Sequence, residues 1–411
     1  MKIVFVNRFF YPDHSATSQV LSQLAFELAE RGHNIEIISS RLRYDDSAAN
    51  LAANEIVKNV RVHRVATTGF GRNWLPGRLL DYLSFYFSAS WAMLRIVGKN
   101  DVLVAKTDPP LISVVAALAC RIKGAKLVNW LQDVFPEVAE ALEMKGIPPI
   151  LHRILRKIRN ATLKQAKVNV VIGENMGQRV INQGIPKQSV QVIHNMAVDA
   201  VASPLSPAQA TLRQQWGLEK HFVVCYSGNL GRAHDYQTML AAIRHLQKHT
   251  DIHFVFIGGG ANLEKLRSAI EEEQLHNVSF KPYQPIEQLS QSLAAADIHL
   301  VSLRPELEGL IVPSKFYGIL SAGRGTAFIG AANGELAQLI EKFNCGITIK
   351  QGEPLALANN LLEMTKDQTK TATWGRNARS AYEQNFTKNA IVGSWEDTLK
   401  SIMQGLPDSV V

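Results

Sequence analysis

A chain of 411 residues is longer than one hydrophobic core usually holds, which predicts two domains of roughly 200 residues each. Hydrophobic residues make up 46% and charged residues 19% of it, with no low-complexity tract, so disordered and fibrous classes are excluded. Cys120, Cys225 and Cys345 are too scattered for a disulfide framework or a cysteine zinc site, and they point to a reducing compartment.

The first residues, "MKIVFVNRFFYPDH", open directly into a strand and lack the basic, apolar and small-residue order of a signal peptide, so a cytoplasmic protein is expected. The helix "SATSQVLSQLAFELAERG" follows, with Val20, Leu21, Leu24 and Leu28 on one face and Gly32 as its stop, and then the strand "NIEIIS". This β-α-β unit predicts a parallel sheet. The uncharged aromatic run Tyr82 to Leu94 is too short to span a bilayer, which needs about 20 apolar residues. Strand and helix then alternate through "DVLVAK", "LISVVAALACRIKG", "KLVNWL", "PEVAEALEM", "VNVVIG", "NMGQRVINQG" and "VQVIH", which closes a first domain at residues 1–196.

The chain's net charge of +8 is spread unevenly, and one segment of this domain carries most of the excess. From Lys145 to Lys167 there are seven Lys or Arg residues and no Asp or Glu. Ile150, Leu151, Ile154, Leu155 and Ile158 keep helical spacing there, with Arg153, Arg156 and Lys157 mostly off the stripe. Such a helix either lies on an anionic membrane or packs its stripe on its own domain. Residues 197–210 read as a linker. Residues 211–370 repeat the alternation, through "HFVVCYSG", "IHFVFIGGG", "NVSFKPY", "DIHLVSL", "GTAFIG" and "CGITIK", and 371–411 read as a helical tail packing back on the first domain. The expected fold class is α/β, two tandem Rossmann-like domains facing a central cleft, because open α/β sheets bind ligands at strand carboxyl ends.

Candidate chemistry sits at those ends. "VNRFFYPDHSATSQ" has no glycine, which argues against a dinucleotide fingerprint. His14, Ser15 and Thr17 could receive part of an acceptor, though N-capping of the helix is the role expected first of Ser15. "SGNLGR" offers Gly228, Asn229 and Gly231 for close backbone approach, Arg232 for a phosphate, and Asp235 as a cap. In "PELEGLIVPSKFYGILSAGRG" the helix start at Pro313 and Ser314 converges with Lys315 on a possible diphosphate position, while Glu306 and Glu308 could bind sugar hydroxyls or simply be solvated. "FIGGGAN", with Gly258 and Gly259, is either a ligand approach or a tight turn. In the first domain Asp108 of "KTDPP" and Gln132, Asp133 and Glu137 of "WLQDVFPE" suggest acid/base groups, or a turn and a cap.

"YSGNLGRAHD" together with "VPSKFYGILSAGR" resembles the family 4 glycosyltransferases, retaining enzymes of the two-Rossmann GT-B fold, and is most similar to the bacterial O-antigen and capsule sugar transferases that include N-acetyl-L-fucosamine transferases. "RFFYPDHSATSQVLSQLAFELAERGH", "LQDVFPE", "VIGENM", "VIHN" and "GRNARSAYEQNF…WE" extend the likeness over almost the whole chain. The resemblance implies a nucleotide-sugar donor, expected to be UDP-linked, on the second domain and a polyprenyl-diphosphate-linked or other saccharide acceptor on the first. Arg232 would neutralise the departing diphosphate with help from Lys315 and Ser314. Asp133 would position the acceptor or take its proton, and Glu308 and Gly309 would lie by the donor sugar. The nucleotide is expected to meet Lys281 and Tyr283. Neither metal nor cofactor is expected, and no nucleic-acid partner. An acceptor on a lipid carrier places the enzyme peripherally at the inner face of the cell membrane, held by the basic helix and, as a second contact, the Tyr82 to Leu94 segment.

Two positions depart from the family pattern: Gln237 stands where a lysine is common, and Gly318 where a ribose-binding glutamate is common. A nucleotide-sugar 2-epimerase and a non-catalytic sugar-nucleotide sensor are the alternative readings.

Overall fold

The computed structural model describes residues 2–71, 75–144, 148–197 and 201–404. Lys145 of the basic run, residues 198–200 of the expected linker and the tail beyond residue 404 lie outside them. The chain divides into two compact units, Met1–His194 with Ile391–Val411, and Asn195–Ala390.

The first unit is built on eight strands: β1 Lys2–Val6, β2 Asn34–Ser40, β3 Asn54–Val57, β4 Val60–Val65, β5 Val102–Lys106, β6 Lys126–Leu131, β7 Val168–Val171 and β8 Val190–Val192. Their order across the sheet is β3-β4-β2-β1-β5-β6-β7-β8. Central strands of a sheet covered on both faces are near-continuous apolar runs, and β1 and β5 are buried almost throughout. The β3–β4 hairpin, which the sequence pattern does not announce, adds an antiparallel edge. Its two turn residues, Lys58 and Asn59, have φ of 47° and 63°. Both being left-handed gives the two-residue turn whose twist matches the flanking strands, without the glycine that would normally signal it.

The Tyr82 to Leu94 run lies within a helix, Leu75–Ile96, and the basic run forms the helix Pro149–Gln165. The buried Arg159 ties the latter helix to the unit. Its guanidinium donates to both carboxylate oxygens of Glu137, at 2.8 and 3.2 Å, and to the Phe135 carbonyl at 3.2 Å. Glu137 is thus a buried ion-pair partner, and the acid/base alternative for it is set aside. Arg156 pairs with Glu137 at 3.1 Å and Glu140 at 3.0 Å.

The second unit holds β9 Phe222–Asn229, β10 Ile252–Gly259, β11 Val278–Lys281, β12 Ile298–Ser302, β13 Gly325–Gly330 and β14 Gly346–Lys350, all parallel, in the order β11-β10-β9-β12-β13-β14. The direction of winding reverses between β9 and β12. There the ladder holds only Ile298↔Val224 and His299↔Cys225, so the carboxyl ends of the two strands part. That parting is where a doubly wound sheet offers a ligand crevice.

Of the tail helices, Gln368–Ala381 stays with the second unit, where Arg379 donates to the carbonyls of Val201 (2.7 Å) and Ser321 (2.6 Å). The crossover comes later than residue 371, within the helix Lys388–Gln404. On the first unit Trp395 packs on Trp130 with ring centroids 4.7 Å apart, and the Lys126 ammonium donates to the Ile402 carbonyl at 2.7 Å.

Removing one partner of a buried ion pair leaves the other charge uncompensated. Glu137→Ala is therefore expected to destabilise the protein by about 3 kcal/mol or more in chemical denaturation; an unchanged midpoint would contradict the assignment.

Candidate functional site

At the carboxyl end of β9 the chain turns through Leu230–Asp235 into the helix Gln237–His245. The turn is pinned from below. Leu230 N–H donates to the Gly259 carbonyl at 2.8 Å, and the buried Asn262 amide donates to the carbonyls of Gly231 (3.1 Å) and His234 (2.9 Å). Asp235 accepts from Gln237 N–H at 3.0 Å and so caps the helix as expected from sequence. Gly228 and Gly258 are register partners with φ of 116° and 123°. A β-carbon at Gly258 would lie 2.6 Å from the Gly228 carbonyl oxygen and 3.0 Å from the Tyr283 ring. Of the two readings of "FIGGG", close backbone packing accounts for Gly258. Gly259 lies under the exposed Tyr283 ring, its added β-carbon 3.5 Å away.

Lys315 opens the helix Lys315–Ser321 and points back to this turn. Its ammonium lies 3.7 Å from the Tyr226 ring centroid, and a β-carbon at Gly228 would be 3.6 Å from Nζ. Nζ is buried, with no hydrogen-bond partner among the described residues. Burial pushes this amine from its ordinary 10.5 down to about 7. An unpaired buried ammonium is costly, and stacking on an aromatic face offsets only part of that cost. His234 completes the group. Its Nδ1 lies 2.5 Å from the Ser302 carbonyl at the end of β12, and its pKa falls to about 3, first through burial and then through the Lys315 charge. His234 is therefore neutral. Sequence reasoning passed over both His234, three residues after the "GNLG" turn, and Asn262.

The remaining expected donor residues differ in their placement. Arg232 is exposed, and Asn229 and Ser314 are exposed at the turn and the helix start; the Ser314 side chain makes no cap. Glu308 is drawn elsewhere. Its carboxylate accepts from Glu335 N–H at 2.7 Å, capping the helix Glu335–Phe343, whose first N–H groups have no intrahelical partner. Gly309 is a left-handed turn residue beside it, φ 70°. Lys281 faces the Trp216 ring, 5.4 Å from its centroid. At Gly318 an added β-carbon would meet nothing within 4 Å, so the position is open space.

In the first unit the strand order reverses between β1 and β5. Asp108, just beyond β5, accepts from the Thr17 hydroxyl at 3.3 Å, and its backbone carbonyl accepts from Arg8 N–H at 2.7 Å. His14 is exposed. Ser15 occupies the N-cap position, but its hydroxyl is buried and caps nothing, so the capping expectation fails there; Asp13 accepts from Ser15 N–H at 2.8 Å. Gln132 N–H donates to the Thr107 hydroxyl at 3.1 Å. Asp133 is the perturbed group. Burial, then the nearby Asp108 charge, raise its carboxyl from 3.8 to about 7, against a hydrogen bond from Thr107, and its Oδ1 has no hydrogen-bond partner among the described residues.

Beneath lies Lys106, fully buried, its ammonium 2.7 Å from the Thr17 carbonyl and 3.9 Å from the Trp130 ring centroid, with burial pushing its pKa well below the ordinary value. Beside Asp108 opens a cavity of about 290 Å³ lined by Arg8, Arg43, Arg78, Asp81 and Tyr82 among others. Arg8 pairs with the buried Asp81 at 3.4 Å and Arg43 Nε with Asp45 at 3.6 Å, while the Arg8 Nε is buried without a hydrogen-bond partner among the described residues. Arg43 and Arg78 carry no sequence motif, and Arg8, though it opens the "RFFYPDH" stretch, is not singled out as a ligand by it.

Two α/β units, each with a reversal of strand order within a mostly parallel sheet, define the GT-B class of architecture, and solved structures bear this out. The chain superposes on sucrose-phosphate synthase from Thermosynechococcus elongatus with a TM-score of 0.78 at 16% identity, covering 98% of this chain and 100% of that one. It superposes on Anabaena HepE, determined in complex with UDP-glucose, with a TM-score of 0.70 at 20% identity and the same coverage. By sequence, residues 15–196 match the glycosyl transferase 4-like domain family and residues 208–381 the glycosyl transferases group 1 family. The chain thus carries a glycosyl transferase 4-like domain followed by a glycosyl transferases group 1 domain. It is 27% identical over 319 residues to the probable glycosyltransferase WbjE of Pseudomonas aeruginosa, covering 77% of this chain and 78% of that protein.

Asp133 makes stability depend on pH. The folded protein holds this proton up to about pH 7, whereas an unfolded chain releases it near pH 4, so its favourable contribution is complete below about pH 4 and is lost as pH rises through 7. Asp133→Asn removes that loss. In urea unfolding the variant should match the wild type near pH 4 and exceed it by roughly 4 kcal/mol at pH 8; parallel pH profiles would contradict the burial of this carboxyl.

Proposed function

We propose that the protein is a retaining glycosyltransferase that moves a sugar from a UDP-linked donor held by the second unit to a saccharide acceptor held by the first. The acceptor is a lipid-linked glycan of bacterial surface-polysaccharide assembly, and an N-acetylated amino sugar such as N-acetyl-L-fucosamine is the transferred group. The observation that carries the reading is Lys315: a buried ammonium without a hydrogen-bond partner among the described residues, at the reversal of strand order, beside Gly228. A diphosphate there would supply the missing anion. The two matched domains, the likeness to WbjE, and the UDP-glucose complex of HepE support the same donor class.

The chemistry follows from where charge develops. As the bond from the sugar to the diphosphate breaks, negative charge grows on the leaving phosphate, and fixed cations nearby lower that barrier. Lys315 supplies a desolvated cation and the exposed Arg232 a second, mobile one, so the chain's own residues meet the charge without a metal. Neutral His234 adds no competing positive charge and keeps the turn attached to β12. Glu308, engaged as a helix cap, contributes through the loop it holds. On the acceptor side Asp133, with its carboxyl raised to about 7, accepts or positions the hydroxyl proton, with Asp108 and Thr17 alongside. His14, Ser15 and Gln132 border that edge. The arginines of the adjoining cavity suit the phosphate of a carrier.

Two variants test the donor assignment. Lys315→Met removes a cation whose burial is unfavourable, so the fold should persist while UDP affinity falls roughly tenfold to a hundredfold in calorimetry; unchanged affinity would contradict the reading. Arg232→Ala should lower transfer at least about tenfold, measured as release of nucleoside diphosphate with acceptor present. Wild-type turnover in that variant would remove Arg232 from the leaving-group contacts, and epimerised donor in place of released diphosphate would favour the epimerase.

A further inference from the structure

Three helices of the first unit, Leu75–Ile96, Ile112–Lys123 and Pro149–Gln165, pack side by side in that order. Each buries one face, and each leaves a second apolar stripe in solvent. On the Leu75–Ile96 helix the stripe is Leu79, Leu83, Phe87 and Trp91, four residues apart, with Phe87 80% exposed. On Ile112–Lys123 it is Leu118 and Ile122, each 60% exposed, and on Pro149–Gln165 it is Ile150, Ile154 and Ile158. Scattered single hydrophobics on a surface need no explanation, whereas parallel stripes on neighbouring helices make a patch that marks an interaction site.

Charge identifies the partner. The sequences of the three helices contain one acidic residue, Asp81, which is buried. Arg95, Arg121, Arg153, Lys157 and Lys164 are exposed on the same helices. The Arg95 guanidinium lies 4.6 Å from the Trp91 ring centroid, pairing a cation with an indole in the manner suited to a lipid–water interface. Apolar stripes with a cationic rim and no exposed carboxylate fit an anionic bilayer surface, into which such helices bury their apolar faces while lying flat. Among the described residues no helix is long and apolar enough to cross a membrane. Arg156, one of the residues expected to face lipid, is instead held by Glu137 and Glu140.

We propose that this three-helix face docks the protein on an anionic lipid bilayer, with Phe87, Trp91, Leu118 and Ile154 entering the interface and Arg95, Arg121, Arg153 and Lys157 contacting headgroup phosphates. The proposal does not rest on the donor assignment, and its failure would leave that assignment intact. It extends the contact well beyond the basic helix and makes Phe87 the most deeply placed residue.

The test is co-sedimentation of the full chain with vesicles of phosphatidylcholine alone or mixed with phosphatidylglycerol. The wild type should pellet with the mixed vesicles and not with phosphatidylcholine alone. Phe87→Ser with Ile154→Ser should release it, and because both side chains are exposed its melting temperature should not change. Arg153→Gln with Lys157→Gln should weaken binding at least about tenfold, from roughly one kilocalorie per mole for each charge near an anionic surface. Wild-type pelleting of both folded double variants would overturn the proposal. So would a wild type that stays in the supernatant and forms a dimer that Phe87→Ser with Ile154→Ser dissociates, since the face would then cover a second copy.

Discussion

A single unpaired cation organises the second unit. Lys315 Nζ is desolvated, lies on the face of Tyr226 and has no anion among the described residues. Proteins usually neutralise or pair such a group, because an isolated buried ion is costly and aromatic stacking returns only part of the cost. The surrounding architecture holds this arrangement in place: the parted ends of β9 and β12, the Gly228–Gly258 contact that brings β9 and β10 together, the Asn262 amide that pins the turn, and the neutral His234 between Lys315 and Ser302. A site prepared in this way pays its desolvation on folding and needs no reorganisation when negative charge appears, the condition under which electrostatic stabilisation is most effective.

The first unit uses the same principle with the opposite sign. Beyond the end of β6, near its own reversal of strand order, Asp133 is half-buried with its Oδ1 enclosed, and its carboxyl beside Asp108 is raised to about 7. A carboxyl poised near neutrality can hold or accept a proton as its surroundings require, which a solvated aspartate does not do at that pH. The fully buried Lys106 ties the start of the Ala16–Glu30 helix to β5, so Thr17 is held within reach of Asp108. Arg8, Arg43 and Arg78 line the adjoining cavity, the first two each paired with an aspartate. The two switch points thus present a ready cation in one unit and ready carboxyls in the other.

Much of this was legible in the sequence because parallel strands and amphipathic helices leave strong periodic patterns. "KIVFV", "HFVVCYSG" and "IHFVFIGGG" are strands in the structure, and the "SGNLGR" turn and the Lys315 helix start flank the predicted crevice. What was missed lacks a local signal. The β3–β4 hairpin turns on Lys58 and Asn59, where no glycine marks the left-handed pair. Glu308 looked like a free loop carboxylate because its partner, the Glu335 N–H, lies 27 residues away in sequence. Arg156 and Glu137 looked like a lipid contact and an acid/base group, and only the fold brings them together in an ion-pair network around the buried Arg159. Tertiary pairing of isolated charged residues is the part of a site that composition and spacing do not reveal.

The central claim concerns one proton, so the most direct measurement is the NMR titration of the Lys315 side chain in lysine-labelled protein, assigned by the loss of its signal in Lys315→Met. The free protein should titrate at about pH 7, and saturating UDP should move the midpoint upward by at least about one unit as the diphosphate stabilises the charged form. A midpoint at the ordinary lysine value in the free protein, or one that UDP leaves in place, would contradict the account.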